Sequence, residues 1–120
     1  MPSLFGEILS ELVGTVPGAL GAVFLDWEGE AVDQFSHIPL MDILLVGAHW
    51  GVVLRIVQDF LRKHDWGLPQ TVILNGEQHD VIIRAITDEY CLVFITRSGA
   101  HLATALDAMD RVVVDIRKEM

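Results

Sequence analysis

Residues Gly18–Phe35, GALGAVFLDWEGEAVDQF, decide how this chain folds. An apolar run from Ala19 to Asp26 enters a cluster of acids (Asp26, Glu28, Glu30 and Asp33), and a second run, Ala31 to Ser36, leaves it. The acids could form a metal loop or an acid/base site, or they could be a solvated turn between two strands. An EF-hand loop needs oxygen ligands at alternating early positions, a glycine midway and a bidentate Glu at its end. Counting from Asp26, acids do fall at Asp26, Glu28 and Glu30. However, glycine stands at Gly29 where Ala31 would have to be glycine, and His37 stands where the Glu belongs. Paired carboxylates for hydrolysis need a cleft, which a hairpin tip does not supply. Glu28–Gly29 provides the residue that can adopt positive φ, so the stretch reads as a β-hairpin with solvated acids.

On the N-terminal side, Leu4, Phe5, Ile8, Leu9, Leu12 and Val13 have helical spacing with one buried face. Ser3 is placed to cap that helix, and Gly14 with Pro17–Gly18 stops it. On the C-terminal side the period changes after Pro39. Leu40 to Lys63 reads as a long helix, closed by KHDWGLP with Gly67 and Pro69 as breakers. Gln70–Leu74 and His79–Thr87 then read as strands around NGEQ, where Asn75–Gly76 is a strong hairpin signal. Tyr90–Thr96, YCLVFIT, is nearly all apolar and so belongs in the centre of a sheet, covered on both faces. Ser98 is placed to cap a last helix with Leu102, Leu106, Met109, Val113 and Ile116 on one side. The predicted order is αββαβββα in a single domain over residues 1–120. Hairpins within the strand groups make the sheet antiparallel, so the class is an α+β sandwich.

Composition limits what such a domain can do. A chain of 120 residues buries roughly 65% of its unfolded surface. A hydrophobic fraction of 52% and a mean hydropathy of +0.43 are high for that size, which points to apolar surface covered by another chain. Seventeen acids against 8 bases give a net charge of -9, which repels phosphate backbones and argues against nucleic acid as a partner. The longest apolar stretch, Pro39 to Ile56, carries Asp42, His49 and Arg55, which argues against a membrane span. One cysteine, Cys91, fits a reducing compartment, and no signal-peptide pattern opens the chain, so a cytoplasmic protein is expected.

No catalytic pattern emerges. His64–Asp65 and the EQHD at Glu77–Asp80 lack a third ligand at metal-site spacing. Cys91 sits among apolar strand residues, where burial makes a thiol inert. Neither a phosphate-binding P-loop nor a G-x-S-x-G motif is present. No enzyme, metal or cofactor is expected.

The long helix, LMDILLVGAHWGVVLRIVQDFLRK, is more informative. Ile43, Val46, Trp50, Val53, Leu54, Val57 and Leu61 fall on one apolar face suited to packing on a sheet. A second face carries Asp42, Leu45, His49, Val52, Ile56, Asp59 and Lys63, alternating polar residues with large aliphatics. That mixture is the make-up of a protein–protein contact surface, and the small Gly47, Ala48 and Gly51 permit close helix approach. The segment QTVILN, Gln70 to Asn75, has high β-propensity and few charges. As an edge strand it would aggregate unless it paired with the same strand of a second copy, which places Thr71 and Ile73 at that contact.

The early helix LFGEILSELVGTVPG, the hairpin GALGAVFLDWEGEAVDQF, the apolar long helix, the strand trio and the closing helix together resemble the Roadblock/dynein light chain superfamily, and within it the bacterial MglB-type proteins. The resemblance spans essentially the whole chain. It implies a profilin-like, five-stranded antiparallel sheet with the first and last helices on one face and the long helix on the other. It also implies a homodimer joined through the long helix and an edge strand. MglB-type dimers bind a Ras-like small GTPase and stimulate GTP hydrolysis by rearranging the GTPase's own catalytic residues, without an arginine finger. That platform maps here onto Leu45, His49, Val52, Ile56 and Asp59. One departure is expected to matter: the sequence ends at Met120, almost with the last helix, and has no counterpart of the C-terminal tails that can contact the GTPase. Other Roadblock proteins act as scaffold subunits, so a structural dimerisation subunit is the alternative. A small-molecule sensor would need an internal cavity, against which the crowded apolar strands argue.

Overall fold

The computed structural model describes residues 4–26, 28–67 and 70–120; the Ser3 cap and the Pro69 breaker lie outside them. The elements follow the predicted order. They are α1 (Leu4–Thr15), β1 (Ala19–Asp26), β2 (Ala31–Ser36), α2 (Leu40–Lys63), β3 (Thr71–Asn75), β4 (His79–Ala85), β5 (Tyr90–Arg97) and α3 (Leu102–Lys118). All neighbouring strands pair antiparallel in the spatial order β2-β1-β5-β4-β3. The apolar run of β5 therefore lies in the middle, and β2 and β3 form the two edges. A strand buried on both faces has no use for alternation, which is why that run is nearly continuous.

Alternation elsewhere divides the core into two. Ala22, Phe24, Ile82, Leu92 and Phe94 point toward α1 and α3, where they meet Leu9, Leu12, Met109, Val113 and Ile116. Val23, Leu25, Val81, Ile83, Cys91, Val93 and Ile95 point the other way and pack with Ile43 and Leu54 of α2. Arg84 of β4 pairs with Asp110 of α3, and Arg117 Nε donates to the Ile86 carbonyl at 2.7 Å. Both contacts pin the last helix to the sheet.

One local expectation is corrected. The cap of α3 is His101 rather than Ser98: its Nδ1 accepts the Thr104 N–H at 3.2 Å. A turn at Gly99, with φ 85°, carries the chain three residues further before the helix can start. Ser98 Oγ instead donates to the Gly76 carbonyl at 2.9 Å, tying β5 to the β3–β4 loop. In that loop Gly76 is required by crowding and not by positive φ. A Cβ there would lie 2.5 Å from the His79 carbonyl oxygen, which the Gly76 N–H bonds at 3.1 Å. The NG pair thus opens the β3–β4 hairpin where NGEQ placed it, with His79 starting the second strand.

The small residues of α2 have a definite job. A Cβ on Gly47 would meet Val23 at 3.2–3.3 Å, and one on Gly51 would meet Leu25 Cδ1 at 3.3 Å. The close approach expected from Gly47, Ala48 and Gly51 is thus of α2 onto its own sheet, centred on Ile43, Gly47, Gly51 and Leu54. Gly29, with φ 87°, rests on Ala48, where a Cβ would come within 3.3 Å of Cα. The hairpin tip is docked on the long helix.

Candidate functional site: the outer face of the long helix and the free sheet edge

Seating α2 on its small residues turns the opposite side of the helix outward. Leu45, Val52 and Ile56 are 53%, 51% and 63% exposed. Asp42, His49, Asp59 and Lys63 are exposed beside them. Thus all seven residues of the predicted contact face share one solvent-facing stripe, antipodal to Ile43 and Leu54. Sequence reasoning missed Met41, Phe60 and Trp66, which extend the exposed apolar surface at either end. Met41 was legible, because it stands four residues before Leu45 and so one turn along the stripe. Phe60 and Trp66 were not: their rings meet edge-on at 6.5 Å only because α2 ends in a turn through Asp65, with φ 56°.

α2 lies mainly over β1 and β2 and reaches β5 and β4 more lightly, which leaves a gap between the helix and the β4 end of that face. The resulting cleft of about 310 Å³ is floored by Leu20, Val81 and Ile95, walled by Val46 and Trp50, and rimmed by Gln78 and His79. By length and mean hydropathy (1.8) α2 meets the criteria for crossing a membrane, but it is packed on the sheet here.

At the β3 edge, the Ala85 N–H bonds the Gln70 carbonyl at 3.0 Å, which fixes the alternation of the β3–β4 ladder. Val72 and Leu74 bond toward β4, so the backbone groups of Thr71 and Ile73 point off the sheet. The Ile73 side chain is 43% exposed. Opposite Ile82, it faces the α1/α3 side, whereas Val72 and Leu74 face the α2 side. The two predicted groups of contact residues therefore do not meet within one protomer. Any partner that uses both must reach from the helix stripe round the sheet edge, and Val72 and Leu74 join them along the way.

The acidic loop carries a structural carboxylate. Asp26 Oδ1 accepts the N–H groups of Glu28 and Glu30 at 2.9 and 3.0 Å, closing the hairpin. Among the described residues no group of three or more His, Cys, Asp or Glu is placed to hold a metal. Cys91 is fully buried, and burial, helped by the charge of Asp26, pushes its thiol from 9.0 up to about 12. In the unfolded chain the thiol ionises near its ordinary value, so between about pH 9 and 12 the unfolded state has released a proton that the native state holds. Stability accordingly falls as pH rises through that window. Ellman's reagent at pH 8 is expected to leave the native protein unlabelled and to modify one thiol per chain in denaturant. Rapid labelling of the native protein would show an open β1–β5 pair.

Neither a protein-family model nor a curated protein matches the chain. Solved structures do. A Roadblock/LC7 domain from Streptomyces avermitilis superposes with a TM-score of 0.86 at 18% identity, covering 94% of both chains. MglB from Myxococcus xanthus gives 0.83 at 11% identity, covering 97% of this chain and 96% of that one. MglC from the same organism gives 0.71 at 21% identity, over 97% and 98%. The sheet order, the two-layer core and these superpositions agree that the chain has the Roadblock/LC7 fold, with MglB and MglC among the structures it is similar to.

Proposed function

We propose that this protein is a non-catalytic homodimer that binds a Ras-like small GTPase and stimulates its GTP hydrolysis, in the reducing interior of the cell. The observation that carries the reading is the outer stripe of α2, where Leu45, Val52 and Ile56 stand more than half exposed between His49, Asp42 and Asp59. Three large aliphatics held in water on one helix face favour covering by a partner. The polar residues between them give such a contact its register, not its bulk affinity. A β3 edge with uncharged Thr71, Val72, Ile73 and Leu74 suits pairing with an identical strand. The GTPase itself is suggested by the resemblance to MglB-type regulators, which work through the catalytic groups of their partner.

The deciding experiment is single-turnover GTP hydrolysis by the Ras-like GTPase encoded nearest this gene, with and without excess protein. A rise of at least roughly tenfold, about 1.4 kcal/mol off the barrier, is expected. His49→Ala and Asp59→Ala should each remove most of that rise while leaving the circular dichroism spectrum unchanged. Binding without acceleration would instead indicate a scaffold or effector. No binding would shift the assignment to a structural dimerisation subunit.

A further inference from the structure

We propose that the other edge of the sheet, β2, together with the groove between it and α1, docks an extended basic segment of a different protein as an added strand. The His37 N–H bonds the Leu20 carbonyl at 2.8 Å, which sets the alternation of the β1–β2 ladder. Asp33 and Phe35 therefore bond toward β1, and the backbone groups of Gln34 and Ser36 point off the sheet. The Gln34 N–H is met only locally, by the carboxylate of Asp33 at 2.8 Å, a bond that the carbonyl of an incoming strand can replace.

Beside this edge lies a groove of about 510 Å³ with a mainly apolar lining, in which Phe35 is the aromatic surface. Its polar rim is Glu7, Glu11 and Asp33, and no Lys or Arg lines it. Alternate side chains of an added strand would point toward this groove, so an apolar residue fits against Phe35 and flanking cations reach the three carboxylates.

The occupant follows from comparing the two edges. β3 carries no charge, so an identical copy can lie against it. β2 carries Asp33 beside Glu7 and Glu11, in a chain of net charge -9, so a second copy would bring like charges directly opposite and be repelled. The bulge at Val32, between the Phe24–Asp33 and Leu25–Ala31 pairs, shortens the edge and further disfavours self-pairing. A basic partner of another sequence meets neither obstacle over Asp33–Ser36. β2 thus serves heterologous docking and β3 serves self-pairing.

The test uses three fluorescein-labelled peptides at physiological ionic strength: a Lys–Val peptide (repeats of Lys-Thr-Val-Thr, which put Lys and Val in turn on one face), a Glu–Val peptide (repeats of Glu-Thr-Val-Thr) and a Lys–Pro peptide (repeats of Lys-Pro-Val-Pro). Fluorescence anisotropy should show binding of the Lys–Val peptide alone. Its hydrogen-exchange footprint should be slowed exchange at Gln34 and Ser36. The double variant Glu7→Lys/Glu11→Lys, both positions being exposed, should weaken binding roughly tenfold or more. No binding of the Lys–Val peptide would overturn the proposal. So would equal binding of the Lys–Pro peptide, which signals diffuse charge attraction, or a footprint on β3.

Discussion

Replacing Ile56 by Glu is expected to convert the proposed dimer into a folded monomer of 13.3 kDa. The side chain is 63% exposed, so the protomer loses almost no packing when it is changed. In a two-fold contact the same substitution acts on both copies. Each copy forfeits part of the roughly 1.5–3 kcal/mol that burying an isoleucine contributes, and must strip water from a carboxylate besides. A total near roughly 5 kcal/mol weakens the dimer by nearly four orders of magnitude in Kd, enough to abolish it at micromolar concentration. Sedimentation velocity reads the mass directly, and circular dichroism reads the fold. Ile73→Lys tests the sheet edge independently and should give the same monomer. If Ile56→Glu stays dimeric while Ile73→Lys does not, the strand edge holds the dimer and the helix stripe is free for the proposed GTPase. A wild-type protein that is monomeric at tens of micromolar would remove the dimer altogether.

The second large effect is on the fold itself. Phe24→Ala should cost about 3–5 kcal/mol in urea unfolding at fixed protomer concentration. Phe24 is 2% exposed at the junction of α1, β1 and β5. Its ring meets Phe5 edge-on at 5.1 Å and Tyr90 at 5.3 Å, so removing it opens a cavity and breaks two oriented aromatic contacts at once. Against the 5–15 kcal/mol typical of a domain, roughly half the stability would go. Phe24→Leu keeps most of the volume and should lose much less. A loss below about 1 kcal/mol for Phe24→Ala would mean that α1 collapses into the space, and that the helix is less firmly seated than its packing implies.

Much of this architecture was legible in the sequence because single elements carry their own periodicity. The apolar repeat of α1, the continuous run of β5 and the outward stripe of α2 each follow from which residues recur every second or every third to fourth position. The turn at Glu28–Gly29 was legible because positive φ favours glycine. Where local rules competed, the reading failed by a few residues. Ser98 is the better N-cap by type, yet the turn at Gly99 moves the helix start to His101. Asn75–Gly76 did mark the β3–β4 hairpin, although what demands glycine there is the approach of the His79 carbonyl.

Sequence alone determined which residues form the outer stripe of α2 and that β5 is central, because both are set by spacing along one element. Only the tertiary structure decided what Gly47, Ala48 and Gly51 do, since a small residue permits a close approach without naming the neighbour. That neighbour is the protein's own β1 strand and hairpin tip. Tertiary structure also decided that Val72 and Leu74, not Ile73, face the α2 side, and that β2 is the second free edge beside an acidic groove. Strand order and the side on which a helix lands depend on contacts between residues far apart in the chain, which no local period encodes.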